Sequence, residues 1–212
     1  MEQAVQLRWS GEVDAGDKIL EELNLDVRSD FTPLFYRSFW KRDYQECRRL
    51  VAEAAKYPEL EADRWDKELQ FCFVTKFPVD QEAARQAEKQ IEERLNRPIS
   101  RDEEELSSET LSEIKMILGK KEDAIRLCQQ ALERHPVSED ALVNTGELKR
   151  LAYMYLFAGE HERALQMLRK LVEVPGGENY GPLKYNPVFD ELRKDPRFDE
   201  ILKQSQKPFP RL

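Results

Sequence analysis

Apolar residues return every three to four positions along most of the chain, between runs of Glu, Lys, Arg and Gln. That period belongs to an amphipathic α-helix with one buried stripe. The clearest case lies near the C-terminal end. Leu148, Leu151, Ala152 and Tyr155 share one helical face, Gly159 interrupts it, and Ala164, Leu168 and Leu171 form the stripe of a second helix that ends at Pro175. Small residues at Ala152 and Ala164 let two helices approach closely. An altered copy stands upstream: Leu111 and Ser112 precede Gly119, and Ala124, Cys128 and Ala131 follow it up to Pro136. The turns Gly119-Lys120-Lys121-Glu122-Asp123-Ala124 and Gly159-Glu160-His161-Glu162-Arg163-Ala164 are two versions of one motif. A two-helix unit repeated at this interval cannot bury its apolar face alone, so it implies stacking into an extended surface.

Further upstream the units are less regular. Asp80 to Leu95 predicts a helix with Ala84, Ala87, Ile91 and Leu95 inward, and its partner, Glu59 to Thr75, carries Trp65, Phe71 and Phe73. Phe77-Pro78 breaks the chain between them. Thr32 to Lys41 and Asp43 to Lys56 predict another pair, with Tyr44, Cys47, Val51 and Ala54 inward. Gly11 to Gly16, then Ile19, Leu20 and Leu23, reads as the turn and second helix of a truncated unit. Ser100, followed by acidic residues, opens the helix before Gly119. After Pro175 the stretch Gly176 to Pro182 reads as a loop, and Leu183, Phe189, Leu192, Phe198, Ile201 and Leu202 suit a cap on the last repeat. The expectation is an all-α chain, a right-handed superhelical stack forming one domain over 1–212. It comprises a partial repeat or cap over 1–29, helix pairs over 30–58, 59–97, 100–136 and 138–175, and a loop with a terminal cap over 176–212.

Composition agrees with helices: charged residues make up 36%, and only 8 glycines are present to serve turns. The net charge is −8, and the cations are interleaved with acids, as in Lys120-Lys121-Glu122-Asp123. A phosphate-binding surface needs clustered cations, so neither nucleic acid nor an anionic membrane is an expected partner. Cys47, Cys72 and Cys128 are far apart and form no paired motif, so they read as core residues. The first residues carry no signal-peptide pattern, and no run is apolar enough for a membrane span. A soluble, reduced, cytoplasmic chain is expected.

The units from Glu104 to Pro175 resemble tetratricopeptide repeats, with Lys115 standing where that pattern has an aromatic. The tail sharpens the likeness. Asn179-Tyr180-Gly181-Pro182-Leu183-Lys184, Asn186-Pro187-Val188-Phe189-Asp190-Glu191-Leu192-Arg193 and Asp195-Pro196-Arg197-Phe198 resemble the C-terminal tetratricopeptide region of bacterial multidomain signalling proteins. Those proteins carry a serine/threonine kinase, cyclase or winged-helix domain further N-terminally, and Val137 to Leu142 resembles their inter-repeat segment. The resemblance implies a protein–protein interaction scaffold, the binding arm of a larger regulator. Some members of that group place this region beyond a membrane span.

The candidate working surface is the groove lined by the first helix of each pair. Registering each unit on its turn puts Tyr36, Phe39 and Trp40 there, then Leu69 and Phe73, then Glu109, Glu113 and Met116, then Lys149, Tyr153 and Leu156. An aromatic groove with a few charges suits an extended segment or an amphipathic helix. The competing reading is that Tyr36, Phe39, Trp40 and Tyr153 pack a core. Glu109 and Glu113 stand where chaperone-tail binders hold cations, which disfavours a C-terminal carboxylate as ligand. The only histidines, His135 and His161, fall in charged turns, and no phosphate loop, zinc motif or nucleophile elbow occurs. No catalysis, cofactor or metal is therefore expected. The other readings are self-association through the N-terminal end, giving a weak homodimer instead of a monomer, and an enzyme with a site between Trp65 and Phe77.

Overall fold

A computed structural model of the chain describes residues 1–134, 145–174 and 176–206. All regular structure among the described residues is helical. In order come α1 (Glu2–Ser10), α2 (Val13–Glu22), α3 (Val27–Trp40), α4 (Tyr44–Ala54), α5 (Glu61–Thr75) and α6 (Gln81–Leu95). They are followed by α7 (Arg101–Ile117), α8 (Lys121–Arg134), α9 (Thr145–Ala158), α10 (His161–Glu173), α11 (Tyr180–Tyr185) and α12 (Pro196–Gln204). Short 3-10 turns occupy Pro58–Leu60, Pro187–Phe189 and Leu192–Lys194. His135, Pro136, the 137–142 segment and Pro175 lie outside the described residues.

The boundaries follow from local chemistry. Gly119 and Gly159 leave α7 and α9 at φ of +78° and +85°, a region that glycine enters without a Cβ clash. The N–H groups of Lys120 and Glu160 then bond the carbonyls of Lys115 and Tyr155, each at 2.8 Å. Asp26, Asp43, Asp80 and Asp195 cap α3, α4, α6 and α12 with their carboxylates. Ser100 and Glu103 form a reciprocal capping box at the start of α7. The third helix starts at Val27, ahead of the Thr32 predicted for it, and Asp30 is non-helical within it. Pro33 is the cause: it brings no N–H, and its ring crowds the carbonyl four residues back.

Packing is tightest where the repeat motif is clearest. α9 and α10 press together around Ala152 and Ala164, both fully buried, and α7, α8 and α9 continue the same seam. α5 departs from this. It lies along α4 and α7 and reaches α6 through Trp65, which is buried among Ala84, Ala87, Ile91, Leu111 and Ile114. Trp65 is thus the buried side chain through which α5 meets both α6 and α7.

At the N-terminal end Glu2–Ser10 is helical, so 1–29 holds a helical hairpin where a single helix of a truncated unit was expected. Arg8 of α1 is buried, pairs with Asp17 of α2, donates to the Tyr36 carbonyl at 2.9 Å and sits 4.5 Å over the Trp40 ring. α1 also rests on α11, where no Cβ could fit at Gly181 beneath the Arg8 carbonyl. Tyr185 Oη donates to the Gly11 carbonyl at 3.3 Å. α11 begins at Tyr180, within the stretch expected to be loop; Pro182 falls in its first turn, where a missing N–H costs nothing.

Leu183, Phe189, Leu192, Phe198 and Ile201 are buried, and Leu202 partly so. The tail packs on α10 through α12 and reaches further. Its Pro187–Phe189 turn reaches α5, Asn186 Nδ2 donates to Gln70 Oε1 at 3.4 Å, and Phe189 meets the Tyr153 ring edge-on at 5.2 Å. No helix among the described residues is long and apolar enough to cross a membrane.

Candidate functional site

A cleft of about 360 Å³ opens where α3, α5, α7 and α9 face one another. Tyr36, Glu109, Glu113, Lys149 and Tyr153, five of the groove residues expected from sequence, line it together. Leu106 and Gly146 stand exposed at its rim.

The remaining expected residues lie elsewhere. Phe39, Leu69, Met116 and Leu156 belong to the apolar core. Phe73 sets its ring edge against Phe157 at 4.9 Å. Trp40 stacks on Tyr185 at 6.3 Å and lines a second cavity of about 160 Å³ between α1, α3 and α11. The reason is common to all six. A helix packed on several sides is apolar on several sides, and Leu151 to Phe157 are all buried, so period alone does not separate packing faces from a groove face. Tyr153 itself is only 8% exposed: its ring is core, and its hydroxyl is what reaches polar company.

Sequence reasoning missed Asp63, Asp66 and Gln70 of α5 and Arg150 of α9, all of which line the cleft. Their signal was present as a polar stripe at i, i+3 and i+7 on a helix otherwise noted for its aromatics. Glu178, in the segment after α10, gave no such signal. Its side chain is buried, accepting from Tyr153 Oη at 3.2 Å and pairing with Lys149 Nζ at 3.1 Å.

Almost every charge here has a counter-charge. Lys67 pairs with Asp66 at 2.7 Å and Asp63 at 3.4 Å, and lies 5.1 Å from the Tyr36 ring centre. Gln70 Nε2 donates to Asp66 at 3.0 Å and to Tyr36 Oη at 2.9 Å. Arg150 bridges Glu109 at 2.7 Å and Glu147 at 3.1 Å. Burial works against the charge of Asp66, and Lys67 with Gln70 outweighs it, so this carboxylate stays below its usual pKa. Desolvation opposes the charge of Lys149, though its side chain is half exposed, and Glu178 prevails, so its pKa lies above the usual lysine value.

Glu113 is the exception. It is 7% exposed, lines the cleft, and accepts no hydrogen bond among the described residues. Burial first, and the nearby Asp66 charge second, push its pKa well above the usual carboxylate range. Glu109 is raised as well, chiefly by burial, despite Arg150.

His161 is exposed in the turn after Gly159, and no group of three or more metal-ligating side chains converges among the described residues. Cys47 and Cys128 are buried and Cys72 partly so, and burial pushes each thiol to about 12. Such thiols pack and do not react at neutral pH. Comparison with protein-family models, curated proteins and solved structures finds none that matches this chain.

Proposed function

We propose that this chain is a non-catalytic binding scaffold of the tetratricopeptide type, a superhelical stack whose cleft between α3, α5, α7 and α9 takes a peptide segment of another protein. The observation that carries the reading is Leu106. It is 53% exposed at the mouth of a cleft whose interior is charged and aromatic. An apolar rim residue beside a recessed polar site suits a partner that docks a side chain inside and rests an apolar neighbour outside. The tail sequence supports the further reading that this is the interaction arm of a larger bacterial regulator.

Self-association through the first hairpin finds less support, because α11 covers part of α1. An acid–base enzyme is the second reading, favoured by two cleft carboxyls whose pKa values move apart, Glu113 up and Asp66 down. Against it, both Asp66 oxygens already accept hydrogen bonds, from Lys67 and Gln70.

A photo-crosslinking residue placed at Leu106 tests the proposal, with the exposed Leu23 on α2 as control. A discrete crosslinked protein from native lysate at position 106 and not at 23 is expected. Equal, diffuse labelling at both positions would remove the cleft from consideration as a docking site.

A further inference from the structure

The cleft holds an unbalanced set of charges. Four carboxylates (Asp63, Asp66, Glu109 and Glu113) and two cations (Lys149 and Arg150) line it, while Lys67, Glu147 and Glu178 pair with members of this set from outside the lining. The three cations are each engaged by carboxylates other than Glu113. Glu113 is thus a recessed carboxyl lining a cavity, with no hydrogen-bond donor among the described residues. The same cleft is lined by the rings of Tyr36, Tyr153 and Phe157, and Tyr36 and Tyr153 already hold Lys67 and Lys149 near their faces, a setting that favours cations.

We propose that the cleft recognises a Lys or Arg side chain on an extended peptide, with Glu113 as the counter-ion of its ammonium or guanidinium head. This rests on the scaffold reading above and names what the scaffold selects. The head supplies the hydrogen-bond donors that Glu113 lacks. Its aliphatic stem passes the exposed Leu106, and the aromatic walls close on the charge. A carboxylate or phosphate ligand would meet the surplus negative charge and is excluded by the same count.

Binding carries a proton signature. Glu113 is faced by Asp66 and Lys67 from α5, Glu109 of its own helix, Arg150 from α9 and the Cys128 thiol from α8. From α6, Glu88 is engaged with Lys115 and Lys120, at 2.8 and 2.6 Å. Burial raises the Glu113 pKa above the usual carboxylate range, and a cation bound against it favours the ionised form, so binding releases a proton wherever the carboxyl is protonated beforehand. Affinity therefore rises with pH, by up to about tenfold per unit, until the carboxyl ionises without the ligand.

The test is selection of a displayed random-dodecamer library on the full chain and on Glu113→Gln, followed by calorimetry of the enriched peptides. Wild type is expected to enrich peptides with Lys or Arg at one fixed position. Replacing that residue by citrulline or norleucine, or introducing Glu113→Gln, should each weaken binding at least tenfold. Calorimetry in buffers of different ionisation enthalpy should show release of up to one proton, which Glu113→Gln abolishes. Glu113→Asp, keeping the charge, should retain the basic preference at reduced affinity. Enriched peptides with no basic position, bound equally by both proteins, would overturn the cation anchor and leave the scaffold reading standing. A library that enriches nothing on wild type would remove both. Spermidine binding that Glu113→Gln abolishes, with no peptide enriched, would overturn the peptide ligand in favour of a free amine.

Discussion

The hairpins α9–α10 and α5–α6 perform the same architectural task by opposite means. In the first, Ala152 and Ala164 let two helices close on each other. In the second, Trp65 occupies the interface and α5 leans onto α7 instead. The consequence reaches the other side of α5. There the stripe Asp63, Asp66 and Gln70 confronts Glu113, Lys149 and Arg150 across the cleft. Close packing supplies rigidity, and the departure from it supplies the site.

Breaking the Trp65 contact should have the largest effect. Trp65→Ala removes a fully buried indole and should cost roughly 3–5 kcal/mol, read by chemical denaturation. A loss no greater than that of a surface change would mean that Trp65 does not join α5 to α6 and α7. Overfilling the close-packed hairpin comes next. Ala164→Leu should cost roughly 1–3 kcal/mol, and an unaltered melting temperature would show that α9 and α10 have room to spare.

Glu113→Gln probes the cleft itself, through pH. Below the usual glutamate value of 4.5, folded and unfolded chains both hold the proton and Glu113 contributes nothing. Above it the unfolded chain ionises and the folded chain does not, so wild-type stability falls as pH rises, until the folded carboxyl ionises too. Glutamine has no such loss. The variant should therefore gain on wild type by up to about 1.4 kcal/mol per pH unit across that window. A constant difference from pH 4 to 8 would show that Glu113 is not held neutral. The smallest effect belongs to the turn. Gly159→Ala meets no neighbour within 4 Å of the new Cβ, so only the left-handed backbone is penalised, by roughly 1 kcal/mol.

The same contrast explains what was legible in the sequence. The stretch around Gly159 announced its helices, its turn and its buried alanines because one apolar stripe, one glycine and two small residues suffice to define a hairpin. Ser100 announced its helix for similar local reasons. The cleft was half legible. Glu109, Glu113, Lys149, Tyr36 and Tyr153 could be placed from helix register, since polar or amphipathic residues on a first helix have few other places to point. Phe39, Leu69, Met116 and Leu156 could not, because an apolar residue suits a core and a groove equally well. Glu178 could not be placed at all: its position depends on a segment returning across α9, a non-local fact that no period records. Tyr153, which the sequence allows in either groove or core, contacts Phe157, Phe189 and Glu178, so its removal would cost stability as well as any binding.

The seam between α1 and α11 changes how the molecule should come apart. An array in which each repeat touches only its neighbours frays progressively and can lose a terminal unit without consequence for the middle. Here residues Arg8 and Gly11 touch Gly181, Tyr180 and Tyr185, while Arg8 also anchors α3. Opening that seam exposes the second cavity and frees the segment that holds Glu178 against Lys149. Amide exchange in α1 should accordingly slow and quicken together with exchange in α9, as one cooperative unit spanning most of the chain.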